Sequence, residues 1–361
     1  MSTYTCFEKI IQILTTICYG DAVSNDTLNM HKILKKSGYD AVIYAENIDK
    51  RLSSIVKKIE ELKNVDKEDL IIYHKSTGTK LSFELQNFKC KIVMRYHNIT
   101  PGFYFQKYSK KLFNIVEYGR EGLEYASKHI DYSLADSSYN MQELVDLNYK
   151  NVEVLPILIS FDDYAKTPDK KTIEKYNDGV TNMLFVGRIA PNKSQEDVIK
   201  SFYYYKKYVN QNSRLIFVGS DNGFENYSDL LKKLVNELEL KDVIFTGHIK
   251  FEEILSYYKV ADLFLCMSEH EGFCVPLVES MYFGVPILAY DSSAVGETLG
   301  SSGVLVKEKN YFVISELMDR IMADKILRDN IVEKQYERLK DFALEKVEKQ
   351  FIEAIEKIIK A

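Results

Sequence analysis

The chain has 361 residues, 46% of them hydrophobic and 28% charged, with a formal net charge of −5, which excludes a broad electrostatic footprint for nucleic acid. Its five cysteines (Cys6, Cys18, Cys90, Cys266, Cys274) are scattered without a CxxC pair, and read as reduced thiols rather than a disulfide framework or zinc site. No apolar run approaches the roughly 18 residues of a membrane span, and the opening residues lack the positive-then-apolar layout of a secretion signal, so a cytoplasmic protein is expected.

Strand-length apolar runs alternate with helical patterns along the whole chain. Residues 10–17 are continuously apolar or β-branched apart from Gln12, and Tyr19-Gly20-Asp21 follows. A helical stretch over 27–37 comes next, then strand candidates at 42–45, 70–73 and 92–95, a helix over 114–127, and strand candidates at 132–135 and 152–156. Residues 160–179 are polar, contain Pro168 and carry neither a strand nor a long helix signal, as a linker would. The alternation then restarts with strand candidates at 183–186, 214–218, 243–246, 263–267 and 286–289. A last helical pattern over 344–359 puts Phe351, Ile352, Ala354, Ile355 and Ile358 on one stripe.

This order predicts two α/β doubly wound domains with parallel sheets covered on both faces. The expected boundaries are 1–165 for the first domain, 166–179 for the linker, 180–342 for the second domain and 343–361 for a terminal helix. Charge is unevenly spread: residues 51–111 carry 13 Lys/Arg against 6 Asp/Glu, and residues 112–165 carry 3 against 10. A basic stretch of this kind suits either a solvated helix face or contact with anionic lipid or a phosphate-bearing acceptor.

Two motifs carry the chemistry. In CMSEHEGFCVPLVESMYFGVPILAY a buried strand ends in a polar turn with Glu269, His270 and Glu271, and a short helix starts near Pro276 and stops at Gly284. Backbone N–H groups around Gly272, Phe273, Cys274 and Val275 then lie at a helix N-terminus, an anion site by construction. Glu271 and Glu279 are too far apart to act on one atom. They suit the two ends of an elongated ligand with phosphates between, such as a nucleotide sugar. In MLFVGRIAPNKSQED a strand ends at Gly187, a loop presents Arg188 and Lys193, and Ser194 with Asp197 fits a helix capping box. Two cations beside a helix start suit a diphosphate.

The stretches FVGRIAPNKSQEDVIKSF and GHIKFEEILSYYKVADLFLCMSEHEGFCVPLVESMYFGVPILAY resemble the C-terminal half of family 4 retaining glycosyltransferases. The resemblance is close across the second half and weaker across the first. It implies the GT-B fold: two Rossmann-like domains facing a cleft, with the last helix crossing back to the first domain. It also implies that Arg188 and Lys193 hold the donor phosphates, that Glu271 contacts the donor sugar, that Glu279 contacts the ribose, and that Gly272, Phe273, Cys274 and Val275 add backbone contacts. Gly20 matches the family's glycine loop over the donor phosphates, with one glycine where many members have two. Asp21, Asn25 and His74 are candidates for the acceptor side, and His97 in RYHNITP matches an active-site histidine. Asp136, Ser137 and Asn140 suit helix-cap duty equally well.

The expected activity is transfer of a sugar, mannose ahead of others, from a nucleoside diphosphate to a saccharide hydroxyl in polysaccharide or glycolipid synthesis. No cofactor and no metal are expected, because the basic pair does a metal's electrostatic work. A lipid-linked acceptor would bring the chain to the inner face of the membrane, with the basic stretch against anionic lipid. The alternatives are a GT-B nucleotide-sugar isomerase, whose converging carboxylates the Glu271–Glu279 spacing does not supply, and a partner subunit that binds nucleotide sugar without turnover.

Overall fold

A computed structural model describes residues 9–360, so Cys6 lies outside the described residues. The chain forms two compact units, one of residues 9–102, 113–160 and 342–360, the other of residues 103–112 and 161–341.

The first unit holds seven strands: β1 (Ile10–Ile17), β2 (Ala41–Ile48), β3 (Val56–Lys58), β4 (Leu70–Lys75), β5 (Lys91–Tyr96), β6 (Tyr132–Ala135) and β7 (Val152–Val154). All pairings are parallel, in the order β3-β2-β1-β4-β5-β6-β7. β1 reads as an almost unbroken apolar run because helices cover both faces of a parallel sheet. Its Leu14 faces Ala45 on one neighbour and His74 on the other. β3, three residues long and mostly exposed, carries no apolar signal and was not anticipated.

The second unit holds β8 (Thr181–Val186), β9 (Ser213–Val218), β10 (Val243–Phe245), β11 (Leu263–Cys266), β12 (Ile287–Tyr290) and β13 (Val304–Val306), parallel in the order β10-β9-β8-β11-β12-β13. In each sheet the first strand of the unit sits centrally, with the chain winding out to either side. Such a reversal leaves a crevice at the strands' carboxyl ends, where ligands of this fold class bind. Gly20, Asp21, His74 and His97 lie at that edge of the first sheet. Arg188, Lys193 and Glu271 lie at that edge of the second.

The last helix, Leu344–Lys360, returns to the first unit. Val347, Phe351, Ala354, Ile355 and Ile358 are buried with Met30, Ile33 and Leu34 of helix Ala22–Lys36 and with Leu70, Ile72 and Val93 of the sheet. Ile352, expected on the same stripe, is only partly buried. Within 160–179 the chain is more ordered than its composition suggests. Asp169 accepts the Thr172 N–H (2.8 Å) and caps helix Lys170–Tyr176, while Ser256 Oγ donates to the Asp169 carbonyl (3.1 Å). Residues 103–112 cluster with the second unit, where Phe105 packs on Phe224 and Tyr108 on Tyr227. Among the described residues, no helix is long and apolar enough to cross a membrane.

Candidate functional site

In the second unit the strand β8 ends at Gly187, and Arg188 lies with its guanidinium 4.8 Å from the Phe224 ring centre and donates to the Asn222 carbonyl (2.6 Å). A single 3-10 turn, Pro191–Lys193, follows. The expected capping box does not form. Ser194 adopts φ +48°, ψ +49° as the end of that turn, and the Asp197 carboxylate instead accepts from Lys309 Nζ and Tyr311 OH (both 2.7 Å). Asn192 clasps the two motifs together. Its carbonyl accepts the Glu269 and His270 N–H groups (2.9 and 3.3 Å), and its side-chain amide donates to the His270 carbonyl (3.0 Å).

That clasp brings Lys193 Nζ into direct hydrogen bonding with the Glu271 carboxylate, the two side chains being 23% and 7% exposed. Burial works against the lysine's charge, but Glu271, with Cys274 and Cys266 adding to it, leaves the Lys193 pKa raised. Ser293 Oγ accepts the Glu271 N–H (2.8 Å), so a third loop fixes the carboxylate's backbone. Helix Val275–Tyr282 begins four residues after Glu271 and presents its positive end on that side. Cys274, at φ +71°, is its N-cap.

Glu279 sits in a separate cluster. Its two carboxylate oxygens accept from Tyr258 OH (2.6 Å) and Tyr164 OH (3.2 Å), and burial raises its pKa although both bonds oppose the rise. A carboxylate has about four lone-pair sites, so two remain for ligand hydroxyls. Tyr164, expected within the first domain (1–165), thus clusters with the second unit and holds Glu279, a role that no sequence signal marked.

In the first unit the candidates separate into exposed and buried groups. Gly20 (φ +83°) turns the chain after β1, and a side chain there would meet open space. Asp21 is a helix cap: it accepts the Ser24 N–H (3.1 Å) and hydroxyl (3.0 Å). Asn25 is exposed on the helix's first turn. His74 and His97 are buried and stacked, ring centres 5.4 Å apart. His74 Nε2 bonds Gln12 (2.9 Å), its Nδ1 bonds His97 Nε2 (3.1 Å), and His97 Nδ1 faces Asp136 (3.1 Å). Both nitrogens of each ring are therefore engaged inside the protein, and neither is available to a sugar hydroxyl in this conformation. Burial, with His97 and Arg95 adding to it, holds His74 well below the ordinary histidine pKa, and neutral.

This network continues into Arg95, wholly buried between Asp26 (2.8 Å) and Asp136 (2.9 Å), which donates to the carbonyls of Leu155 and Pro156. Nothing in the sequence marks Asp26 or Arg95 as interior: Arg95 is a single charge near the end of an apolar run, and Asp26 stands among polar residues near a helix start. Asn140 follows its Ser137 cap and accepts from Asn98 (2.8 Å), so both serve the helix start. Two of the 13 cations in the basic stretch, Lys75 and Arg95, are interior, and three more lie in the segment 103–112 of the second unit.

Residues 166–338 match the family described as Glycosyl transferases group 1. An uncharacterized glycosyltransferase of Methanocaldococcus jannaschii is 26% identical over 208 residues, covering 56% of this chain and 52% of that protein. The O-antigen chain mannosyltransferase of Salmonella typhimurium is 29% identical over 213 residues, covering 58% of this chain and 55% of its own length. In both comparisons the matched region spans about half of the relative. The crystal structure of Anabaena HepE in complex with UDP and glucose superposes over 97% of this chain and all of its own, with a TM-score of 0.75 at 17% identity. The fold is therefore GT-B, and residues 166–338 are similar to the group 1 glycosyl transferases.

Proposed function

We propose that this chain is a retaining, metal-independent glycosyltransferase that moves a sugar from a nucleoside diphosphate to a saccharide hydroxyl. The observation that carries this reading is the Lys193–Glu271 pair beside the start of helix Val275–Tyr282. An ammonium, a carboxylate and a helix N-terminus are what a glycosyl diphosphate needs: cation and dipole for the phosphates, carboxylate for the sugar hydroxyls. Arg188 adds the second cation, and Glu279 takes the ribose hydroxyls at the other end of the ligand. Charge building on the leaving diphosphate is stabilised by these groups, and its oxygen takes the acceptor's proton as the new bond forms on the same face. Glu271 is committed to Lys193 and Glu279 to two tyrosines, so neither is placed as a covalent nucleophile.

Mannose is the favoured sugar, in keeping with the name of the Salmonella relative, and the acceptor is a saccharide carried on a lipid. The remaining exposed lysines of residues 51–111 then bring the chain to anionic membrane. Buried Gln12, His74, His97 and Asp136 act by positioning the loops at the sheet edge rather than by touching the sugar. The deciding experiment screens nucleotide sugars by thermal shift, then assays transfer by wild type, Lys193→Ala and Glu271→Ala with excess chelator present. Wild type should turn over unimpaired in chelator, and each variant should lose about 100-fold or more. Full activity in both variants sinks the site assignment, and a loss in chelator that magnesium restores sinks metal independence.

A further inference from the structure

Cys266 ends β11 and Cys274 caps the helix that follows the motif loop, so the chain doubles back and brings two buried thiols together. The two Sγ atoms and a Glu271 carboxylate oxygen all lie within 4.8 Å of one another. The thiol–thiol hydrogen bond separates the two acidities, lowering Cys266 and raising Cys274.

We infer that Cys266, Cys274 and Glu271 form a binding site for a thiophilic divalent cation of the zinc class, and that its occupation shuts the donor site. Tetrahedral zinc bonded to sulfur at about 2.3 Å and oxygen at about 2.1 Å spaces its ligands about 3.6–3.8 Å apart. Each pair here has therefore to close by no more than about 1.2 Å, within reach of side-chain rotation and a small loop shift. Two thiolates and a carboxylate select soft or borderline cations over magnesium.

Charge bookkeeping favours the site as well. The step is Zn²⁺ plus two thiols plus one carboxylate giving a zinc dithiolate carboxylate and two released protons, so the complex carries one negative charge. The ammonium of Lys193, already beside Glu271, neutralises it, which satisfies the requirement that buried charge be compensated. The cation enters from the side where Lys193 is partly exposed.

A second cluster, Asp26 with His74 and His97, meets the same distance criterion but does not qualify. One carboxylate and two neutral imidazoles would leave a bound divalent cation with one positive charge, set against the Arg95 guanidinium that Asp26 already pairs, whereas two thiolates and a carboxylate leave one negative charge for Lys193 to balance.

The inhibitory consequence rests on the reading of Glu271 as the donor-sugar ligand, since a metal-bound carboxylate no longer accepts sugar hydroxyls; the cation site itself does not depend on it. The test is titration of the reduced full-length protein with Co²⁺ under inert gas. A thiolate-to-cobalt absorption band should saturate at one cobalt per chain, Zn²⁺ should abolish it, and Mg²⁺ should not produce it. Cys266→Ser and Cys274→Ser, each checked for native circular dichroism, should both lose the band. No band, or a band unchanged in folded Cys266→Ser, overturns the site. In a second arm, Zn²⁺ should weaken nucleotide-sugar binding at least tenfold in wild type while leaving Cys266→Ser unaffected. Equal binding with and without Zn²⁺ in wild type overturns the inhibition. If the metal-free protein binds no nucleotide sugar while the cobalt band is intact, the donor assignment fails and the cation site stands.

Discussion

Lys75 is a buried lysine with no carboxylate partner among the described residues. It is fully buried at the end of β4, where it donates to the Thr77 carbonyl (3.1 Å) and the Ser82 hydroxyl (2.7 Å), and burial lowers its pKa from 10.5 to about 7. The folded state therefore binds this proton more weakly than the unfolded chain does. Between about pH 7 and 10 the unfolded state holds more protons, so stability rises with pH across that window, and below it the penalty is fully present. A contribution of about 2–4 kcal/mol is expected, so Lys75→Met should raise the denaturation midpoint at pH 7 and flatten its rise toward pH 10. Denaturant titrations at both values check this; a variant no more stable than wild type at pH 7 would falsify it. Lysine at a strand end normally reads as a surface residue, which is why neither Lys75 nor Arg95 was legible as interior. The positions of Glu271, Lys193 and Arg188 beside strand ends and a helix start were legible, because apolar runs and helix punctuation locate those ends in the sequence. What sequence could not show was the partner each one meets: Asn192, Ser293, Tyr164 and Tyr258 are ordinary polar residues until the fold assembles them.

At the level of elements, the loop that presents Arg188 is set by a close backbone crossing. The Gly187 N–H donates to the Val218 carbonyl (2.9 Å) and the Ile189 N–H to the Ser220 carbonyl (2.9 Å), which ties the end of β8 to the end of β9. A Cβ on Gly219, at φ +150°, would lie 2.0 Å from the Gly187 carbonyl oxygen. Gly219→Ala must therefore push the two strand ends apart, costing about 2–3 kcal/mol. Because Arg188 rides on that crossing, nucleotide binding should weaken together with stability. Parallel thermal melts and nucleotide titrations check the pair, and undisturbed binding would detach Arg188's position from the crossing. The strands themselves were largely visible beforehand: runs such as 10–17 and 132–135 match β1 and β6 because sheets buried on both faces demand continuous apolar sequence. β3 and β13, three residues each and partly exposed, were not anticipated, whereas the equally short edge strands β7 and β10 were, within the runs 152–156 and 243–246. The capping box at Ser194 was a false signal, because the left-handed turn before the helix leaves its hydroxyl without the cap geometry.

For the whole molecule, the fold class follows from the alternation of runs, while membership of the units does not follow chain order. The first unit is closed by Leu344–Lys360, whose Phe351 is completely buried in a core cluster with residues from helix Ala22–Lys36 and five strands. Phe351→Ala removes a ring from that core and should destabilise the first unit by about 3–5 kcal/mol. Since the second unit has its own sheet and core, its unfolding should be largely unaffected. Hydrogen exchange resolved by peptide checks the asymmetry: faster exchange in β1, β4 and β5 with little change in β8, β9 and β11 is the expected pattern, and uniform acceleration would contradict it.

The returning helix also has a consequence for how the protein is made. Chain emerges from a ribosome at roughly 5–20 residues per second, so the stretch between residues 160 and 342 takes roughly 10–40 s to appear. Throughout that interval the first sheet is already synthesised, yet Leu70, Ile72, Val93 and Leu134 still lack the side chains that will cover them. The second unit can complete its own core earlier, although it begins later. The nascent chain therefore carries an uncovered apolar face while residues 160–342 are made, and that is when it most needs a chaperone.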